Sequence, residues 1–428
     1  MNDTVPLSIA VHTLGCKVNR WDTEALLKQL PNVRQHGFNQ PSDIYIINTC
    51  TVTHAGDKKS LQMIRRARRL APSAFVAVCG CMPRSRDSSP EKIYAAGANF
   101  IFDTRKPEEL LAKIEELFPA QSAAKAQDNI HHETRTRAYI KIQDGCDRYC
   151  TYCIVPYVRG PVTSRPPEDI LNDAAQCVAR GAKEIVLTGI QVAAYGYDTG
   201  SEYISLPALI KLIAARGPKR LRLSSIDPWA INATFLEAAA STPSLCGHFH
   251  LSLQSGSSAT LARMNRRYTT HEYAAAAAKL KALRPNMALT TDIIVGFPGE
   301  SDEDFQASLD FAREMGFSRI HVFEYSPRAG TLAANMPGQV PSQVKTARGQ
   351  AMRALAKTLE QQFLESQIGT TTLVLFESQT ATDRWKGHTE NYCPVTAQGQ
   401  DLANVLINVK ITGVADNTLV GELTNQNM

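Results

Sequence analysis

The stretch AYIKIQDGCDRYCTYC, residues 138–153, decides the fold. A β-rich run, AYIKIQ (138–143), passes through Asp144 and Gly145 into three cysteines, Cys146, Cys150 and Cys153. Spaced C-x3-C-x2-C, these thiols can wrap one metal centre only from a tight loop just after a strand. A structural zinc site takes four protein ligands, and no fourth Cys or His lies close by. His131 and His132 sit in a polar stretch, and Cys177 falls inside an expected helix. Three thiolates on a four-iron cluster leave one iron open to substrate. A zinc knuckle completed from elsewhere in the chain is the alternative.

Downstream of this loop the pattern repeats with a long beat. Runs expected as strands are KEIVLTG (183–189), RLRLSS (220–225), HFHLSL (248–253), ALTTDIIVG (288–296) and SRIHVFEY (318–325). Amphipathic stretches such as DILNDAAQCVARG (169–181) and SDEDFQASLDFAREMG (301–316) fill the gaps. Six strand–helix units predict a (βα)6 barrel or open half-barrel, with its chemistry in the loops after the strands. A long helical pattern over 341–366 follows. Short strands with turn residues between them then predict a small all-β domain over 367–428.

Upstream, residues 1–118 alternate SIAVHT (8–13), DIYIINT (43–49), AFVAVCG (74–80) and NFIFDT (99–104) with helical segments. That alternation predicts an open parallel α/β sheet covered on both faces. Cys16, Cys50 and Cys81 each lie just past the carboxyl end of one of these strands. Strand ends in a parallel sheet face one crevice, where ligands bind, so the three thiols are candidates for a second metal centre. Buried free cysteines are the bland alternative, and Cys79, Cys177, Cys246 and Cys393 are read that way. The polar, unpatterned stretch 119–136 is expected to be a linker to the core at 137–366.

Composition fits this picture. The 428 residues are 43% hydrophobic and 20% charged, enough for two or three domains with their own cores. No basic-then-apolar leader opens the chain, and no apolar run reaches the ~18 residues of a membrane helix. Ten cysteines without such a leader point to thiolate chemistry in a reducing, cytoplasmic setting rather than to disulfides. A formal charge of +5 permits a nucleic-acid partner without demanding one.

Together these motifs resemble the radical S-adenosylmethionine methylthiotransferase family. CDRYCTYC is similar to the motif whose cysteines hold the [4Fe–4S] cluster that binds S-adenosylmethionine. LGCKVN (14–19), NTCTVT (48–53) and CGCMPR (79–84) resemble the amino-terminal domain that carries an auxiliary [4Fe–4S] cluster. The resemblance implies cluster ligands at Cys146, Cys150 and Cys153, and at Cys16, Cys50 and Cys81. It implies S-adenosylmethionine contacts from Tyr152, Thr188, Gly189, Gln191, Ser225, Gln254 and Gly296, and a carboxyl-terminal domain similar to the TRAM module. LGCKVNRWDTE and GHTENY (387–392) resemble the branch that adds a methylthio group to C2 of N6-threonylcarbamoyladenosine at tRNA position 37. Trp21-Asp22 departs from the Gln-Tyr pair expected there, which puts nothing catalytic in doubt.

The implied partners are the tRNA anticodon loop and a one-electron donor such as flavodoxin or ferredoxin, with a monomer acting away from any membrane. The sulfur source is not legible. Residues 366–428 hold three basic and six acidic side chains, net −3, so a basic grip on RNA is expected elsewhere. Candidates are the Lys58, Lys59, Arg65, Arg66, Arg68, Arg69 cluster, and Arg263, Arg266 and Arg267. Trp385 and Tyr392 are the aromatic candidates in the terminal domain. Rival readings are a sister enzyme acting on another tRNA adenosine or on a ribosomal protein aspartate, an iron–sulfur electron carrier and a zinc-dependent RNA-binding protein.

Overall fold

The structure is a computed structural model that describes residues 6–30, 32–119, 136–200 and 204–424. The segment expected to be a linker, 119–136, lies outside the described residues except at its two ends. The chain forms two compact units. One comprises residues 1–133, 145–161 and 326–334; the other comprises 134–144, 162–325 and 335–428. The stretch Gly145–Pro161, which interrupts the barrel segment in sequence, thus belongs with the amino-terminal unit.

That first unit is a five-stranded parallel sheet of β1 (Leu7–Thr13), β2 (Val33–His36), β3 (Ile44–Thr49), β4 (Phe75–Gly80) and β5 (Phe100–Ile101) in the order β2-β1-β3-β4-β5. Alternate residues feed two cores. Ile9, Ile44, Ile46 and Ala77 pack on one face with Leu110 and Ile114, while Ala10, Tyr45, Ile47 and Val78 pack on the other with Ile64 and Ile93. Both faces are covered, as a parallel sheet requires. The run at 99–104 forms only a two-residue strand, and β2 comes from a VRQH run with no apolar signature.

In the second unit, six parallel strands carry the core. They are β6 (Arg137–Lys141), β9 (Glu184–Thr188), β10 (Arg220–Leu223), β11 (His248–His250), β12 (Ala288–Val295) and β13 (Arg319–Glu324), while β7 (Gln143–Asp144) and β8 (Thr163–Ser164) form a short antiparallel pair. Bridges Leu221↔Leu245 and Ile226↔Leu251 join the β10-β9-β6 and β11-β12-β13 sheets. Ile185, Leu187, Leu221, Leu223, Phe249 and Ile293 bury one side of this layer against the helices. The opposite side is polar. The helix Ser342–Glu365 leads to five strands, β14 (Thr371–Ala381), β15 (Arg384–Thr389), β16 (Pro394–Gln398), β17 (Leu406–Ala415) and β18 (Thr418–Leu423), which close into a barrel.

A buried ionic group ties this barrel to the core of the same unit. Glu184, fully buried, lies 2.7 Å from Arg222 and 3.1 Å from Arg137. Arg137 also pairs with Glu377 at 2.6 Å, and Arg220 and Arg222 donate to the carbonyls of His388 and Glu390. Burial works to raise the Glu184 carboxyl, but the guanidiniums of Arg222, Arg137 and Arg220 outweigh it and bring the group down to about 2. Removing one partner of such a group leaves buried charge uncompensated. Glu184→Ala is therefore expected to cost about 3–5 kcal/mol at neutral pH, read by denaturant unfolding. Because the folded carboxyl is depressed, its contribution is complete above the ordinary value of 4.5 and is lost as pH falls towards about 2. The stability gap between wild type and variant should close over that window.

Candidate functional site

Three neighbouring strands of the first sheet, β1, β3 and β4, deliver Cys16, Cys50 and Cys81. Cys50 and Cys81 follow the last residues of β3 and β4, and Cys16 caps the helix Lys17–Leu27. The three thiols are close enough to perturb one another electrostatically. Close approach depends on Gly15, which has φ +92°; a Cβ there would lie 2.8 Å from Cys50 Cβ and 3.0 Å from its Sγ. Only glycine adopts this conformation at no cost. Gly15→Ala should displace Cys50 and, where the triad holds the metal centre expected of it, lower the iron bound per chain.

The second triad occupies the same unit. Its loop is closed by Cys146 N–H donating to the Gly160 carbonyl at 3.0 Å, with a turn from Cys153 N–H to the Cys150 carbonyl at 2.9 Å. Gly145, at φ +69°, lies so tightly against Pro161 that no side chain fits. Cys150 is buried, while Cys146, Tyr152 and Cys153 are half-buried. Ile154 and Val158 of this loop pack against Cys81. Arg84 donates to the Val158 carbonyl at 3.1 Å, and Thr151 accepts from Ala333 N–H at 2.8 Å.

Arg159, at the end of the short helix Val155–Arg159, was not singled out from sequence. Its Nε lies 3.4 Å from Cys81 Sγ, and both terminal nitrogens lie 3.3 Å from Asp22 Oδ2. It also donates to Asn19 Oδ1. Burial pushes the Cys81 thiol up to about 11, while the Arg159 guanidinium pulls it down. Three thiols with a guanidinium N–H aimed at one sulfur fit an anionic iron–sulfur cluster, whose sulfurs accept such bonds. The cysteines read as structural are indeed sequestered in three cases: Cys79, Cys246 and Cys393 are buried, and Cys177 is half-buried.

In the second unit the expected cofactor-facing residues gather at the carboxyl ends of the core strands. Thr188 is buried at the end of β9, and Gly189 sits against Gln143. Gln191 N–H donates to Gln143 Oε1 at 2.8 Å, and its side-chain amide donates to Asp227 at 2.6 Å. Ser225 is half-buried after β10. Gln254, at φ +74°, is stitched to Asp292 and Ile294, and Gly296 N–H donates to Glu300 at 2.8 Å. Gln143 and Asp227 were missed from sequence; an acid two residues past Ser225 was the only signal available.

The expected RNA contacts are placed less uniformly. Lys58, Lys59, Arg65, Arg66 and Arg69 are exposed on the helix His54–Leu70, whereas Arg68 is spent on the carbonyls of Pro72, Ala74 and Gly97. Arg267 is exposed and Arg263 pairs with Asp304 at 2.6 Å, while the half-buried Arg266 pairs with Asp227 at 2.5 Å. Trp385 lies in the core of the terminal barrel. Tyr392 is held between the guanidiniums of Arg137 and Arg222, 4.9 and 4.7 Å from its ring, with His388 stacked at 4.9 Å. Both rings are thus occupied inside the protein. His250, Asp292 and His321, on the polar side of β11, β12 and β13, bring their ligand atoms within 4.8 Å of one another, a grouping the sequence did not disclose.

The family model for the Radical SAM superfamily matches residues 140–312, and that for the Uncharacterized protein family UPF0004 matches 8–101. Threonylcarbamoyladenosine tRNA methylthiotransferase MtaB of Bacillus subtilis is 38% identical over 94% of this chain and 93% of its own length. tRNA-2-methylthio-N(6)-dimethylallyladenosine synthase of Pelotomaculum thermopropionicum is 34% identical over 96% of each. Among solved structures, the radical S-adenosylmethionine methyltransferase TsrM of Kitasatospora setae shares the fold at a TM-score of 0.57 and 14% identity, covering 77% of each chain. The fold and matched segments define a radical S-adenosylmethionine enzyme. Within that class the chain belongs to the methylthiotransferase family, whose members form a carbon–sulfur bond using S-adenosylmethionine and [4Fe–4S] clusters.

Proposed function

We propose that this enzyme methylthiolates C2 of N6-threonylcarbamoyladenosine at tRNA position 37. The observation that carries the substrate is the run of relatives bearing that activity in their names, at 33–38% identity over nearly the whole chain. Relatives named for the dimethylallyl substrate follow at 32–34%. Cys146, Cys150 and Cys153 are proposed to hold the cluster that binds S-adenosylmethionine, and Cys16, Cys50 and Cys81 the auxiliary cluster.

A cluster held by Cys146, Cys150 and Cys153, once reduced by an external one-electron donor, would supply the electron for reductive cleavage of S-adenosylmethionine. The chain's own residues do the rest. The closed loop at Gly145 and Pro161 fixes the spacing of Cys146, Cys150 and Cys153. The Gln143–Gln191–Asp227–Arg266 chain of hydrogen bonds locks the loop after β9, so that Thr188 and Gly189 offer a preformed edge to the cofactor's polar groups. The target adenosine must leave the base stack, which single-stranded anticodon loops permit. The exposed Lys58, Lys59, Arg65, Arg66 and Arg69 face of the first unit supplies phosphate contacts.

Mass analysis of tRNA nucleosides from cells lacking the chain, before and after restoring it, tests the substrate. Restoration of 2-methylthio-N6-threonylcarbamoyladenosine is expected. Restoration of the dimethylallyl product alone, or of a modified ribosomal protein, would replace this reading.

A further inference from the structure

We propose that Arg159 sets the reduction potential of the cluster at Cys16, Cys50 and Cys81, with Asp22 as its electrostatic counterweight. The proposal rests on the ligand reading above and concerns residues outside the ligand set. Arg159 and Asp22 are 7% and 5% exposed, so their charges act in a medium far less polarisable than water. Of the five N–H groups of the guanidinium, that on Nε points at Cys81 Sγ from 3.4 Å. The terminal nitrogens grip Asp22 Oδ2 at 3.3 Å each, and one also donates to Asn19.

The fork is held rigidly. Asn19 spends its own amide on the carbonyls of Leu14, two residues before Cys16, and Thr49, the residue before Cys50, at 2.8 and 2.9 Å. Arg159 therefore meets structure from all three cysteine loops. It lies six residues after Cys153, on the segment that carries the other triad.

The chemistry follows from charge. Reduction adds one electron, so the reduced cluster is more negative by one unit than the oxidised one. A cation donating N–H to a ligand sulfur favours the reduced form and raises the potential. A buried carboxylate close behind that cation opposes it and lowers the potential. The two side chains must therefore act with opposite signs. A purely structural pair would not produce that pattern, since losing either member would merely loosen the loop.

The test uses the full chain carrying Cys146→Ala, Cys150→Ala and Cys153→Ala, reconstituted with iron and sulfide, so that any cluster present is the auxiliary one. Its potential is read by an EPR-monitored redox titration. Arg159→Gln should lower the potential and Asp22→Asn should raise it, each by at least tenfold in the reduced-to-oxidised ratio, about 59 mV for one electron. Asp22→Asn keeps the cation and leaves no uncompensated carboxylate, so it reports the sign even if Arg159→Gln assembles poorly. The double variant, with both charges removed, should fall between the singles. Unchanged potentials, or shifts of the same sign in both singles, would overturn the proposal. A parent without any cluster would instead overturn the ligand reading, and this inference with it.

Discussion

Cys150→Ala is expected to reduce formation of 5′-deoxyadenosine from S-adenosylmethionine to background. Cys150 is the most buried thiol of its triad, and its carbonyl accepts the Cys153 N–H that makes the turn between them. Losing its sulfur removes one of only three proposed anchors from a loop that Gly145 and Pro161 hold at fixed width. Neither neighbouring cysteine can slide to compensate. The measurement is chromatographic quantitation of 5′-deoxyadenosine under a strong reductant, with iron content as the control. Retention of the wild-type rate would exclude this triad from cofactor cleavage.

Cys50→Ala is expected to do something different: to eliminate the methylthiolated nucleoside while sparing cofactor cleavage. Cys50 follows directly from β3 and lies against Gly15. Cleavage should stay within about tenfold of wild type, or 1.4 kcal/mol in the barrier. Some loss is expected, because Cys81 packs on Ile154 and Val158 and disturbance at one triad reaches the other through that contact. Methylthiolated tRNA made by the Cys50 variant would contradict the role given to this triad.

The contrast between these variants turns on what the sequence could disclose. Both triads were legible because each sits immediately past an apolar, β-branched run whose end marks a loop on the ligand-binding side of a parallel sheet. That the two share one compact unit was not legible, because the loop 145–161 joins the upstream sheet through side chains such as Cys81, 78 residues before Arg159. Asp22 shows the same limit. Read in sequence it was an incidental departure; in the fold it is the buried partner of Arg159, 137 residues away.

The strands were found with errors at their ends, since RLRLSS (220–225) and NFIFDT (99–104) continue past the last strand residues, Leu223 and Ile101. The polar side of the core layer resisted reading for a physical reason. Arg220, Arg222 and Glu184 occupy strand positions that a hydrophobic pattern assigns to solvent, yet they are buried, with both guanidiniums paired to the one carboxylate. Tyr392 and Trp385 failed in the opposite direction. An aromatic ring near a carboxyl terminus offers no sequence signal that distinguishes an RNA-facing side chain from one clasped by two arginines or sunk in a barrel core.

Iron and sulfide analysis of the reconstituted full chain, beside variants with each triad replaced by alanine, tests the central claim most directly. Two [4Fe–4S] clusters predict about eight irons per wild-type chain and about four in each triple variant, with no stoichiometric zinc. A wild-type chain holding four irons, or zinc in place of iron at either triad, would contradict it.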